Sequence, residues 1–335
     1  MKTGKIFVYI FISILFFLPF KSFALERVFY FRDGDLSRES LFKYHPYIDV
    51  LSPQAYFATE NGEVKGDIDE KIINFCKKNK IKIMPLITNN KFSQKTAEVI
   101  LDNPPLQDDI IATMIDIAKK KNFYGWQIDF EQMDFSYRDK FSLFVKRAHE
   151  KFKENGLILS VAVIAQVSEN PEDYKNTLWQ KPVGVYDYKK LGENSDFISI
   201  MSYDDPDSKG PVARYLWYKK VMENALKYIP KEKISFGLGL YYWKWDDKTL
   251  KLVETGGGKG ISNVFKKYKY KYHYSLEHEA PYITYKVRGK NYTLWYENTR
   301  SVKKKIDLIK KNKLRGFSVW ALGLEMKEVY QSMKK

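Results

Sequence analysis

Tyr124-Gly125-Trp126-Gln127-Ile128-Asp129-Phe130-Glu131 is the stretch whose reading decides the fold. As a strand it alternates between two faces, so Gln127, Asp129 and Glu131 point one way while Trp126, Ile128 and Phe130 point the other. Same-face neighbours stand roughly 6.5–7 Å apart along a strand, close enough for two carboxylates to push one pKa upward. A carboxyl group that keeps its proton near neutral pH is what general acid catalysis requires. The same acids also suit a strand end that emerges into water, and the stretch alone leaves both readings open.

Outward from it, strand patterns recur at 27–32, 48–57, 82–88, 124–131, 157–165, 197–204, 234–240 and 316–323. Helix patterns stand between them, most clearly at 69–78, 106–120 and 139–153. In the last, Phe141, Phe144, Val145, Ala148 and Phe152 recur at helical spacing before an Asn155-Gly156 stop. Strands that alternate with crossovers in this number predict an α/β fold, a (β/α)8 TIM barrel. Residues 245–298 break the rhythm. Two β-rich runs, 281–287 and 292–296, flank Arg288-Gly289-Lys290-Asn291, which predicts a hairpin within a small α+β insertion between strands seven and eight. Thr255-Gly256-Gly257-Gly258-Lys259-Gly260 lacks the phosphate-loop spacing and reads as a flexible loop.

The chain opens with Lys2 and Lys5, an apolar run from Ile6 to Phe20, and Ser22-Phe23-Ala24. That order predicts a secretory signal peptide over residues 1–24, cut after Ala24, and one large domain over 25–335. The apolar run is short for a bilayer, so no stable span is expected after cleavage; an uncleaved anchor is the alternative. The protein is expected outside the cytoplasm, secreted or in the periplasm or cell envelope. Cys76 is the one cysteine, in the apolar stripe of a helix, so no intrachain disulfide forms and the core must carry stability. Lys and Arg number 57 against 41 acids, a net +16, and removing Lys2, Lys5 and Lys21 leaves +13. Such a balance suits a polyanionic partner such as a cell-wall polymer or nucleic acid. The lysines are scattered over helices without a nucleic-acid motif, so solvated helix faces are the expectation and no nucleic acid is assigned.

A barrel places its active site at the C-terminal ends of its strands. Glu131 ends strand four. Strand six ends in Met201-Ser202-Tyr203-Asp204, with Met201 and Tyr203 on one face and Asp204 on the other, where it either reaches the site or caps the loop. Trp320, on strand eight, suits core filling or the floor under a sugar ring equally. Taken together, Tyr124 to Glu131 resembles the D-G-x-D-x-D-x-E signature of glycoside hydrolase family 18, the chitinases and other N-acetylglucosaminidases. Met201-Ser202-Tyr203-Asp204 is similar to the family's M-x-Y-D, and Gly316-Phe317-Ser318-Val319-Trp320-Ala321-Leu322-Gly323 to its strand-eight segment with the subsite tryptophan. Tyr124 and Gln127 replace the first two signature acids. An amide at the second position resembles the bacterial branch that acts on peptidoglycan, including spore cortex-lytic N-acetylglucosaminidases, as do Ile48-Asp49-Val50-Leu51-Ser52-Pro53 and Ser160-Val161-Ala162-Val163.

The resemblance implies an exported glycosidase that hydrolyses β-1,4 bonds at N-acetylglucosamine in peptidoglycan or chitin-like polymers. Its mechanism would be retaining and substrate-assisted. Glu131 would protonate the glycosidic oxygen, Asp129 would hold the acetamido N–H and raise the pKa of Glu131, and Tyr203 would donate to the acetamido oxygen. Gln127, Met201, Asp204, Trp320, Tyr241, Trp243 and Trp295 are the expected substrate-binding residues, Gln127 through a hydrogen bond that fixes Asp129. No cofactor or metal is implied, and His45, His149, His273 and His278 have no ligand spacing. The expected partner is a GlcNAc-containing polysaccharide and the expected state a monomer. The rival reading is a lectin-like barrel that binds GlcNAc polymers without turnover; retention of Glu131 argues against it.

Overall fold

The computed structural model describes residues 24–175 and 177–334. All of the expected signal peptide except Ala24 lies outside the described residues.

Apolar residues at period two form parallel strands at Glu26–Phe31, Val50–Ala58, Leu86–Asn89, Gly125–Asp129, Ile158–Ile164, Phe197–Met201, Ile234–Gly239 and Gly316–Trp320. Each pairs with the next along the chain, and the last closes on the first. This is the expected (β/α)8 barrel. The three helix patterns are present as Glu70–Lys78, Pro104–Lys121 and Arg138–Glu154. Asp69 starts the first by accepting from the Lys71 N–H at 2.9 Å, and Asn122 ends the second in a left-handed turn at φ 54°.

Several strand bounds differ from expectation, strand eight for example ending at Trp320, before Gly323. Strand three is split into Lys82–Ile83 and Leu86–Asn89, because Pro85 has no N–H for the ladder; its carbonyl still accepts from Gln127 N at 3.0 Å. Strand four stops at Asp129, before Glu131, and strand six at Met201, before Asp204.

The outward faces of the strands build the main core with the helices. Trp126, Ile128 and Phe130 are fully buried there. Phe130 stacks on Phe144 of helix 138–154 with centroids 5.6 Å apart, and Trp126 Nε1 donates to the Met114 carbonyl at 2.9 Å. Full burial of such side chains contributes about 1.5–3 kcal/mol each.

Inside the barrel the filling changes along the axis. Val28, Val50, Met84 and Phe197 plug the N-terminal end. Above them lies a polar layer. Gln127 Nε2 donates to Ser160 Oγ at 2.8 Å, the Tyr30 hydroxyl donates to Gln127 Oε1 at 2.8 Å, and Tyr30 in turn lies 2.7 Å from Ser199 Oγ. Ser199 and Ser235 both bond Ser318, at 2.7 and 2.6 Å. One hydrogen-bonded chain therefore joins strands five, four, one, six, eight and seven.

The insertion is an antiparallel sheet of Tyr242–Asp246, Leu252–Gly256, Tyr270–Ser275, Ala280–Val287 and Lys290–Trp295, with one helix, Gly258–Lys267. It begins a little before residue 245, and the expected hairpin turns at Arg288 and Gly289, both at positive φ. The glycine run is not a flexible loop. Gly256 ends a strand and Gly258 starts the helix, and a Cβ on Gly257 would lie 2.7 Å from Leu324 Cα, one on Gly258 2.4 Å from the Glu325 carbonyl oxygen. The helix start is pressed against the segment that follows strand eight.

Gly125 of the opening stretch has a comparable role, since a Cβ there would lie 1.9 Å from the Ile158 carbonyl oxygen of strand five. Gly125→Ala is expected to cost about 3 kcal/mol or more, measured as a lowered denaturation midpoint; an unchanged midpoint would mean that the two strands do not approach this closely.

Candidate active site

Asp129 closes strand four and faces the barrel axis, 4% exposed. Glu131 lies two residues further, beyond the ladder, where backbone pairing no longer holds it. Side chains take over that task. Asn89, at the end of strand three, is fully buried and grips both polar groups of the Glu131 backbone: its Oδ1 accepts from Glu131 N at 3.0 Å and its Nδ2 donates to Glu131 O at 3.1 Å. The Tyr186 hydroxyl donates to the Phe130 carbonyl at 2.8 Å. Neither Asn89 nor Tyr186 was among the expected site residues. Asn89 had a legible signal, a polar residue at the C-terminal end of a barrel strand; Tyr186 sits in a loop and had none.

Of the two positions open to Asp204, the structure shows the one at the site. Strict alternation puts it on the face away from Tyr203, but φ at Asp204 is 59°, a left-handed turn that ends the alternation and brings its carboxylate to the site. There the Tyr241 hydroxyl donates to Asp204 Oδ1 at 2.5 Å. Tyr203 packs beneath, 8% exposed, edge-on to Tyr241 with centroids 6.3 Å apart. Glycines make the space: a Cβ on Gly237 would lie 3.0 Å from the Tyr203 ring, and one on Gly239 2.9 Å from Tyr203 Cβ.

The carboxyl groups form one electrostatic unit. Burial, and after it the charge of Glu131, pushes Asp129 well above the usual carboxylate range. Burial and the charge of Asp204 push Glu131 from 4.5 to about 7. Asp204, although its side chain opens to solvent, is raised by the desolvation that the surrounding protein imposes, an effect moderated by the Tyr241 hydroxyl. Asp204 therefore acts on Glu131 in addition to Asp129, the neighbour that was expected. Asp129 and Glu131 titrate as a pair and retain a proton into the neutral range. Asp129 Oδ1 is buried with no hydrogen-bond partner among the described residues, a state that costs about 1–3 kcal/mol until a donor arrives.

Gln127 does not bond Asp129. Its amide is fully buried and spent at both ends on Tyr30 and Ser160, so it supports the site from below without touching a substrate. Met201, Tyr203, Tyr241, Trp243, Trp295 and Trp320 do come together, in one aromatic cluster under the insertion. Trp320 leans on Tyr30 with centroids 5.4 Å apart. Trp243 and Trp295 are cross-strand partners, and one face of Trp295 is taken by Tyr282 at 4.3 Å.

Paired carboxyl groups at the C-terminal rim of a (β/α)8 barrel, walled by aromatic rings, define a glycoside hydrolase. The chain belongs to glycosyl hydrolases family 18, whose sequence profile matches residues 28–325. It is similar to the uncharacterized glycosylase YvbX of Bacillus subtilis, 29% identical over 308 residues that span 89% of this chain and 88% of that protein. The cortical fragment-lytic enzyme of the same species is 26% identical over 294 residues, 83% of this chain and 65% of that one. Among solved structures, the spore cortex-lytic enzyme SleL of Bacillus megaterium matches with a TM-score of 0.82 at 25% identity, over 92% of this chain and 73% of that one. A chitinase from Chromobacterium violaceum matches with a TM-score of 0.82 at 25% identity, over 92% and 98%.

The raised Glu131 has a stability consequence. Below 4.5 the group is protonated in both folded and unfolded chains; as pH rises to about 7 the unfolded chain ionises first, so the fold loses stability across that window. Glu131→Gln removes the loss. The variant is expected to gain on wild type by on the order of 3 kcal/mol above neutrality, with the gap closing toward pH 4 in urea titrations; a pH-independent gap would contradict the burial of this carboxyl.

Proposed function

We propose that the protein hydrolyses β-1,4 bonds at N-acetylglucosamine in a peptidoglycan-type polymer, by a retaining, substrate-assisted route. The observation that carries this reading is the unpartnered, buried Asp129 Oδ1 beside a Glu131 that keeps its proton to about 7. An acetamido N–H is the donor that this oxygen lacks. When it binds, hydrogen bonding favours the ionised form of Asp129, and the proton of the pair is left on Glu131, where the chemistry needs it.

Glu131 then protonates the glycosidic oxygen while the acetamido oxygen of the same sugar attacks C1. The C1–O bond to the leaving sugar breaks, and a cyclic oxazolinium ion forms with its positive charge facing Asp129. Tyr203 donates its hydroxyl to the acetamido oxygen and aligns it for attack. Water next attacks C1, Glu131 accepts its proton, and the configuration at C1 is retained. Trp320 supplies an apolar surface for the reacting sugar. The relatives named for lysing spore cortex and cortical fragments support peptidoglycan over chitin as the polymer, and the leader from Lys2 to Ala24 supports export to the envelope, where such a polymer lies.

The test is release of reducing N-acetylglucosamine ends from peptidoglycan, chitin oligosaccharides and glycoprotein glycans in parallel, identified by mass spectrometry. Glu131→Gln is expected to abolish release and spare binding. If wild type and variant bind alike and neither cleaves, a lectin-like role replaces this one. Tyr203→Phe is expected to lower kcat by about 100-fold with little change in KM. In wild type, kcat/KM should fall as pH rises through about 7, because the acid is lost there; a flat profile between pH 6 and 8 would remove Glu131 as the proton donor.

A further inference from the structure

We propose that Arg138, at the start of helix 138–154, is a positioning residue for Glu131 and acts by closing the chain between them into a ring through Tyr186. The catalytic consequence rests on the glycosidase reading above. Arg138 is the first residue of its helix, where the helix dipole is positive and a cation is disfavoured. It is nonetheless largely buried, its side chain 17% exposed. A guanidinium in that position needs compensation from the groups around it.

One segment supplies that compensation, the loop after strand five. Arg138 Nη2 donates to Glu169 Oε2 at 2.8 Å, and Arg138 Nε lies 3.4 Å from Asp187 Oδ2. Its Nη1 donates to the carbonyls of Gly184 and, at 3.2 Å, of Tyr186. The planar fork of arginine suits such a set of acceptors, which a lysine ammonium cannot span. The loops after strands four and five also pack directly, since a Cβ on Gly184 would lie 2.9 Å from the Phe135 ring. These contacts alone would describe a staple between two loops and no more.

Tyr186 makes the difference. Its hydroxyl donates to the Phe130 carbonyl at 2.8 Å while its own carbonyl accepts from Arg138, so one fully buried residue holds both ends of the chain from 130 to 138. Glu131 lies inside that ring, next to its first anchor. Gln132 follows with a left-handed φ of 59°, so the chain turns away from the strand directly after the acid. Gln166 Nε2 donates to the same Tyr186 carbonyl at 2.8 Å and to the Val183 carbonyl at 2.9 Å, which ties the ring to the end of strand five. Asn89 grips the Glu131 backbone from strand three; Arg138 fixes where the chain goes next. An arginine that only joined two loops would bear on stability, whereas one that closes this ring also bears on where the general acid stands during proton transfer.

The test is a double-mutant cycle of Arg138→Lys and Tyr186→Phe, with each variant first shown to be folded by its denaturation midpoint. On a soluble N-acetylglucosamine oligosaccharide, kcat is expected to fall by about 10- to 100-fold in each, with KM little changed. The double variant should be no slower than the slower single one, because both substitutions open the same ring. Hydrogen exchange at the Glu131 amide needs no turnover; it should speed up by about 10-fold in each variant while Ile128 and Leu159 in the barrel strands keep their protection. Should Arg138→Lys fail to fold, Glu169→Leu, which removes a carboxylate from the guanidinium, takes its place in the cycle, with a loss that likewise does not multiply. Unchanged kcat in Tyr186→Phe, losses that multiply in the double variant, or unchanged exchange at Glu131 would each overturn the proposal. A wild type that hydrolyses no glycan would remove the glycosidase reading, and the exchange result would still decide whether Arg138 fixes Glu131.

Discussion

The hydrogen bond from the Tyr30 hydroxyl to Gln127 Oε1, 2.8 Å long at the centre of the barrel, is the interaction on which the site rests. Barrel interiors are commonly filled by branched apolar side chains. Here the middle layer is instead a tyrosine, a glutamine and a ring of serines, all buried. Such a layer is stable only if nearly every group finds a partner, because each one left unpaired costs about 1–3 kcal/mol. Serine is small enough to leave room for one tyrosine, and the parallel pairing sets Ser199 directly opposite Ser235, with Ser160 and Ser318 each two residues out of register on the strands to either side. The result is a buried polar floor in which each of these groups has a partner within the layer and none bonds Asp129 above it.

That pairing within the layer bears on the electrostatics of the rim. Had the floor supplied a donor, Asp129 would be stabilised as an anion and its pKa drawn down. Without one, burial dominates and the proton stays. The surrounding protein then maintains an arrangement that is unfavourable by itself. Asn89 and Tyr186 fix the backbone of residues 130–131 beyond the end of the strand ladder, which sets the point from which the Glu131 side chain enters the site. Tyr241 restrains Asp204 similarly from the opposite side. Stability given up at the rim is offset by the packing of Trp126, Ile128 and Phe130 on the outer face of the same strand, so that one stretch of chain carries both the cost and much of its compensation.

This division is why the fold and the heart of the site were legible in the sequence while the details were not. Period-two alternation sorted Trp126, Ile128 and Phe130 from Gln127 and Asp129, since side-chain direction along a regular strand is a local property. Wherever regularity ended, so did legibility. Pro85 split strand three, and a left-handed residue at Asp204 turned a carboxylate toward the cleft that alternation had directed away. The glycine run at 256–260 read as a loop because what it accommodates, the backbone at Leu324 and Glu325, is distant in sequence. Gln127 was misjudged for the same reason: its partners Tyr30 and Ser160 stand 97 and 33 residues away, and only the closed barrel brings them within reach.

The amide at position 127 also limits where charge can go. A carboxylate there would be a further ionisable group in the dry interior, competing with Asp129 and Glu131 for the same proton and drawing Tyr30 into the exchange. Gln127 cannot ionise at any relevant pH, and both of its ends are already bonded. The raised carboxyl groups Asp129, Glu131 and Asp204 all lie at the rim. The stretch from Tyr124 to Glu131 thus holds its two raised carboxyl groups above an amide that takes no part in their titration.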